Sequence, residues 1–208
     1  QPPPDGNGEG TRFSTAQTGT PEFKRWFGDW EAAKHREFLE GEPVAKLTGK
    51  EFPNDGSPLL ARVLSSFSNI PDGIITNEFI GQVIANKRSI KNSWNHNKNT
   101  EKAIAFAAIP QVISKGRVLY RKDNWEGRGY KRVLLAAPIT ISDTPYVVTV
   151  AVNKTRDSQR FHFHDVVSIK KIRESALSTG ASADIQVPVE ISGAHHESIP
   201  SILQNVFK

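Results

Sequence analysis

Four side chains able to move protons or hold phosphate stand out: Lys91, His96, Arg128 and His164. Imidazole titrates near neutrality, so His96 and His164 suit a general acid–base pair. Lysine and arginine suit developing anionic charge, and a guanidinium grips two oxygens at once. The hydroxyls of Ser89, Ser93 and Tyr130, the Trp125 ring and the Arg160 guanidinium are candidate substrate contacts. Residues 85–135 carry twelve Lys and Arg against three Asp and Glu. Cations for phosphate, rings for bases and an imidazole for proton transfer together fit a phosphodiester. In RNA the ribose 2′-hydroxyl is the nucleophile. It must lose a proton, the departing 5′ oxygen must gain one, and the crowded phosphorane needs positive charge. Each residue also has a plainer role open to it: a loop histidine at 96, a solvated Lys91, turn geometry for Arg128 between its glycines, and His164 paired with Asp165 or the backbone.

Other chemistries are excluded or disfavoured. The chain has no cysteine, which rules out thiol catalysis, disulfides and thiolate metal sites. His162 and His164 share a strand face and His195 and His196 are adjacent, but neither pair has the His-Glu-x-x-His or carboxylate spacing of a hydrolytic metal centre. Gly127-x-Gly129 is too short for a phosphate-cradling loop, so neither metal nor cofactor is expected. A net charge of +5 and a pI near 9.5 favour polyanionic partners, nucleic acid foremost. No apolar run approaches a membrane span. The absence of Met suggests a terminal module cut from a longer polypeptide.

The elements that must position these groups follow from periodicity. Residues 1–20 read as a linker, residues 21–42 as a helical lead-in, 43–172 as the catalytic-type domain and 173–208 as a tail. Thr20-Pro21-Glu22 begins a helix with Phe23, Trp26, Phe27 and Trp30 on one side. A second helix is expected near Pro58–Leu64 and a third over Glu101–Ala108. Pro110 should stop the third and push Ile109 off helical angles, leaving a short helix over Gln111–Lys115. Then the period changes to that of strands: Arg117–Arg121, Val133–Ile141, Tyr146–Asn153 and Arg160–Ile172, with a tight link at Asp143-Thr144-Pro145. In Arg160–His164, alternation puts the two phenylalanines on one face and both histidines with Arg160 on the other. A strand at Ile185–Ile191 and a helix at Ile199–Phe207 complete the reading. Helices followed by a meander of about four strands imply an α+β fold, with helices on one face of an antiparallel sheet.

Several motifs in order carry a resemblance: Phe52-Pro53-x-Asp55-Gly56-x-Pro58-Leu59, Ser89-Ile90-Lys91-x-Ser93-x-x-His96, Ala105-Phe106-Ala107-Ala108-Ile109-Pro110, Asn124-Trp125-x-Gly127-Arg128-Gly129-Tyr130, Ala136-Ala137-Pro138-Ile139 and Arg160-Phe161-x-Phe163-His164-Asp165-Val166. Over roughly residues 43–170 the chain resembles the third type of large polyvalent-protein-associated domain, found in phage and mobile-element proteins. More distantly it is similar to the barnase–EndoU–colicin–RelE (BECR) ribonucleases. That resemblance implies a metal-independent toxin ribonuclease, with tRNA among the candidate targets. His96 and His164 would exchange protons, and Lys91 and Arg128 would stabilise the phosphorane. It implies secretion or phage delivery into a target-cell cytoplasm, and an acidic immunity protein as partner. A DNase, an ADP-ribosyltransferase-type effector and a non-catalytic nucleic-acid-binding module are the alternatives. Asn97 and Asp165 depart from the family pattern, in which glycine and a longer acid stand.

Overall fold

A computed structural model of the chain describes residues 30–96 and 100–172. In chain order the elements are α1 (Trp30–Glu40), β1 (Ala45–Leu47), α2 (Leu59–Phe67), β2 (Ile74–Asn77), β3 (Gly81–Ile84), α3 (Lys87–Asn95), α4 (Thr100–Ala105), α5 (Ile109–Lys115), β4 (Arg117–Lys122), β5 (Lys131–Ile141), β6 (Thr144–Lys154) and β7 (Phe161–Lys171). Short 3-10 turns cover Pro71–Gly73, Phe106–Ala108 and Trp125–Gly127. The expected lead-in helix from Thr20, the strand at Ile185–Ile191 and the helix at Ile199–Phe207 lie outside the described residues, except for the overlap at Trp30.

Three eleven-residue strands, β5, β6 and β7, pair antiparallel and form the body of the sheet. They are the valine- and isoleucine-rich runs that strand propensity singles out. The free edge of β5 is shared: β4 runs antiparallel beside its first half, and β1 lies parallel to Ile139–Ile141. Beyond β7 lies β3, parallel to it, and then β2, antiparallel to β3. Among the described residues the sheet therefore has seven strands and is mixed, not a four-stranded antiparallel meander. The three additional strands have three or four residues each, too short to show a period of two. Two of them precede a helix and reach their partners by crossover, which makes the pairing parallel.

Alternation sorts the side chains. Val133, Leu135, Ala137 and Ile139 of β5 and Val148, Val150 and Val152 of β6 face the helices, packing against Val63, Ile90, Phe106, Ile109 and Val112. Each such large apolar side chain contributes about 1.5–3 kcal/mol on burial. Ala136 and Val147 point the other way, toward Leu39 of α1 and Leu119. The β5–β6 hairpin turns on Ser142 and Asp143, both at positive φ (47° and 62°), so Thr144 and Pro145 already belong to β6. Pro110 does not stop a helix. It sits in the first turn of α5, where a missing N–H costs nothing, and Ile109 is helical at φ −53°, ψ −42°.

Candidate active site

The site begins with an unpaired strand edge. Among the described residues β3 meets β7 only at Phe161 and His162, leaving the rest of that side of β7 without a strand neighbour. The chain then turns through Asn86, which caps α3 by accepting a hydrogen bond from the Ser89 N–H at 2.9 Å. The Ser89 hydroxyl donates back to the Asn86 carbonyl at 2.8 Å. Helix α3 packs against β7, with Ile90 and Ser93, three residues apart, fully buried. Ser93 Oγ accepts the Val166 N–H at 3.1 Å and donates to Asp165 Oδ1 at 2.5 Å. The helix thus supplies a polar group where a strand neighbour is missing.

β7 is bent at this point. Val152 faces Phe163, Ala151 faces Asp165, Val150 faces Val166 and Thr149 faces Ser168. His164 and Val167 are the extra residues of two successive bulges. Phe161 and Phe163 turn inward as alternation requires. The first bulge then shifts the phase so that Val166, not Asp165, is buried in the core. His164 and Asp165 are re-aimed together, toward the C-terminal end of α3.

Asp165 is the hub. Its Oδ1 receives Ser93 Oγ, the Val166 N–H at 2.8 Å and Lys102 Nζ at 3.4 Å. Its Oδ2 lies 3.2 Å from His96 Nδ1. Lys102, buried at 8% side-chain exposure, also donates to the His96 carbonyl. His96 ends α3 in an extended conformation (φ −84°, ψ 113°), which turns its ring toward the strand. An ionised carboxylate only accepts hydrogen bonds, so Nδ1 carries the proton and Nε2 is left for chemistry. The imidazole itself is open to solvent at 60% exposure.

His164 lies close enough for Arg132, Asp165, His96 and Glu126 to act on its charge. Loss of water on its protein side pushes its pKa below the ordinary histidine value, and the Arg132 guanidinium pushes in the same direction, against Asp165. Arg132 is half-buried. It lies over the Trp125 ring, 4.8 Å from the centroid, and against the Tyr130 phenol. Burial is also the main influence lowering its own pKa, countered by Tyr130 and Asp165. Trp125 carries Lys122 Nζ at 5.2 Å as well. Its loop is closed by the Trp125 N–H to the Tyr130 carbonyl (2.9 Å) and the Gly129 N–H to Asn124 Oδ1 (2.8 Å), with Gly127 and Gly129 at φ 70° and 72°.

Of the residues singled out in the sequence, His96, His164 and Ser93 are brought to this cluster, and Tyr130 and Trp125 reach it through Arg132. Arg128 faces outward and pairs with Glu126 at 3.3 Å, with 69% of its side chain exposed. Lys91 and Arg160 are exposed, and the Ser89 hydroxyl serves the helix cap. Asp165, Lys102 and Arg132 were not singled out as site residues. Asp165 directly follows His164, and Arg132 stands two residues beyond Tyr130; that adjacency was the available signal. Lys102 gave none.

Residues 62–163, just under half of the chain, match the family model of large polyvalent protein-associated domain 3. The resemblance therefore holds over that span, which suits a module of a phage or mobile-element polyvalent protein. It ends one residue before His164 and leaves out the Phe52–Leu59 motif. In that motif Asp55 accepts from the Ser57 N–H at 2.9 Å, and Arg62 donates to the Phe52 carbonyl at 2.8 Å, which are contacts of a folded loop. No curated protein and no solved structure matches the chain. No helix among the described residues is long and apolar enough to cross a membrane.

Proposed function

We propose that this large polyvalent protein-associated domain 3 carries a metal-independent endoribonuclease centred on His96 and His164, part of a toxin delivered into another cell. The 3.2 Å contact between His96 Nδ1 and Asp165 Oδ2, with His164 beside it on the bulged strand, carries the reading. His164 is held neutral near pH 7 by its surroundings, so it takes the proton from the ribose 2′-hydroxyl. The 2′ oxygen attacks phosphorus, the P–O5′ bond breaks, and His96, entering as the imidazolium, gives its Nε2 proton to the departing 5′ oxygen. The products are a 2′,3′-cyclic phosphate and a free 5′-hydroxyl. Asp165 orients the His96 ring through Nδ1 and steadies its imidazolium. Arg132 takes the phosphorane role that the sequence alone favoured for Arg128, because its charge acts at His164 and Asp165. Lys91 and Arg128, both exposed, belong to the outer phosphate track. The basic surface suits an acidic immunity protein in the producing cell.

The test is incubation with RNA in the presence of a chelator, comparing wild type with His96→Ala. Loss of one acid–base group should slow cleavage by about 10²–10⁴-fold. Equal rates for the two proteins, or no cleavage by folded wild type, would remove the reading. In the second case a salt-dependent complex with intact RNA would indicate a binding module instead.

A further inference from the structure

The molecule has a second concave, charged feature that the acid–base cluster does not use. A pocket of about 490 Å³ opens where β4 and β6 end and β5 and β7 begin. Its size falls within the range of small-ligand sites. Arg121, Lys131, Lys154 and Arg156 contribute four cations, against a single carboxylate, Asp123. That carboxylate is taken up by Lys131 at 3.0 Å. Arg121 is tied to the Phe79 carbonyl at 3.1 Å. Lys154 and Arg156 are then the cations most able to meet an incoming anion; Lys154 Nζ stands over the Phe161 ring at 5.8 Å.

Apart from Ile80, the apolar part of the lining is aromatic. Tyr130 is half-buried, and Phe79 is 38% exposed, one of only two large apolar side chains left exposed among the described residues. Phe79 is held in place. The buried Asn77 accepts the N–H groups of Phe79 and Ile80 at 2.9 and 3.2 Å, and donates to the carbonyls of Ile113 and Gly116 at 2.8 and 2.9 Å. The β2–β3 turn is thereby anchored to the end of α5, so the aromatic wall is preformed. Rings beside unneutralised cations in a concave site match the base and phosphate of a nucleotide. An acidic protein surface would instead call for a broad contact of about 800 Å² per partner.

We infer that this pocket binds one base-plus-phosphate unit of single-stranded nucleic acid, a subsite beside the proposed acid–base centre. Tyr130 links the two, because it lines the pocket and lies against Arg132, whose charge reaches His164. The inference extends the ribonuclease reading by naming where the strand is gripped, yet its test does not depend on cleavage.

The probe is a fluorescein-labelled oligodeoxythymidylate, which lacks the 2′-hydroxyl and survives incubation. Binding to the full chain is followed by fluorescence anisotropy over a salt series. The double variant Lys154→Ala/Arg156→Ala is expected to bind about tenfold more weakly, and its log–log salt slope should be shallower by about 1.4, the release of two counterion contacts on a single strand. Phe79→Ala should weaken binding several-fold and leave the slope unchanged, since stacking carries no counterion release. Lys46→Ala, which removes an exposed cation of β1 outside the pocket lining and the acid–base cluster, should bind like wild type. Wild-type affinity and slope in a folded double variant would overturn the subsite. So would displacement of the oligonucleotide by polyglutamate at equal charge concentration, which would reassign the pocket to an acidic protein. Absence of RNA cleavage alone would reject only the catalytic reading; weak binding by the double variant would still hold.

Discussion

Two polar regions of this molecule are built on opposite principles. Around Asp165 every charge has a partner: the carboxylate receives a hydroxyl, a backbone N–H, an ammonium and an imidazole, and the ammonium is buried. In the β4–β6 pocket the cations outnumber the carboxylates four to one and lie toward water. A buried charge survives only when it is matched, so the first region must be rigid beneath the His96 and His164 rings, which are the parts left open to solvent. A region meant to take up phosphate must keep charge unspent until the ligand arrives. The difference separates positioning from capture. Substitutions in the first region should cost stability, whereas those in the second should cost binding.

The sharpest attempt to break that contrast is Asp165→Ala, which removes a principal counter-charge of buried Lys102. Denaturant unfolding should register a loss of about 3 kcal/mol. Lys154→Ala/Arg156→Ala, by contrast, should stay within about 0.5 kcal/mol of wild type. Similar losses for the two would erase the distinction. Next in size is Asn77→Ala, which strips the β2–β3 turn of its anchor and removes the amide donor from the Ile113 and Gly116 carbonyls. It should cost about 2 kcal/mol in the same assay and also weaken oligonucleotide binding, because Phe79 loses its seat. Ser93→Ala should cost less, about 1 kcal/mol, since the Val166 N–H keeps Asp165 Oδ1 as acceptor.

The smallest expected effect is in pH dependence. The folded-state pKa of His164 lies below the unfolded value near 6.5, through burial first and Arg132 second, with Asp165 opposing and His96 adding to the depression. The unfolded chain therefore binds this proton first as pH falls. The stability linked to His164 is fully present above the unfolded value and declines below it, levelling once the folded-state group has also titrated. Urea midpoints of wild type should drop more than those of His164→Gln between about pH 7.5 and about pH 5.5. An identical drop for both would mean that the ring titrates as it does in the unfolded chain.

Much of this arrangement could be read from the residues themselves. The long strands announced themselves by valine and isoleucine content, whereas the capped helix carrying Ser89, Ser93 and His96 lies in a polar stretch whose spacing announced no helix. Composition located the basic stretch. What escaped had a physical reason in each case. A bulge leaves no signature in residue types: alternation carried one residue past His164 would set Asp165 in line with the buried phenylalanines, whereas it lies beside His96. The choice between Arg128 and Arg132 turned on which one the strand and the Trp125 ring shelter from water, a tertiary fact. Glycine flanks drew attention to Arg128, but they serve the positive-φ loop that presents Trp125. Lys102 is buried through a contact spanning sixty-three positions, invisible to any local window.

The most direct measurement is a double-mutant cycle on cleavage of an RNA oligonucleotide in chelator, using His96→Ala, His164→Ala and the two combined. Groups that act on one phosphodiester as a unit give non-additive losses. Each single variant should fall by about 10²–10⁴-fold, and the double variant should be little slower than the worse single. A His164→Ala protein as active as wild type, or losses that simply multiply, would contradict a shared site built around the bulged strand.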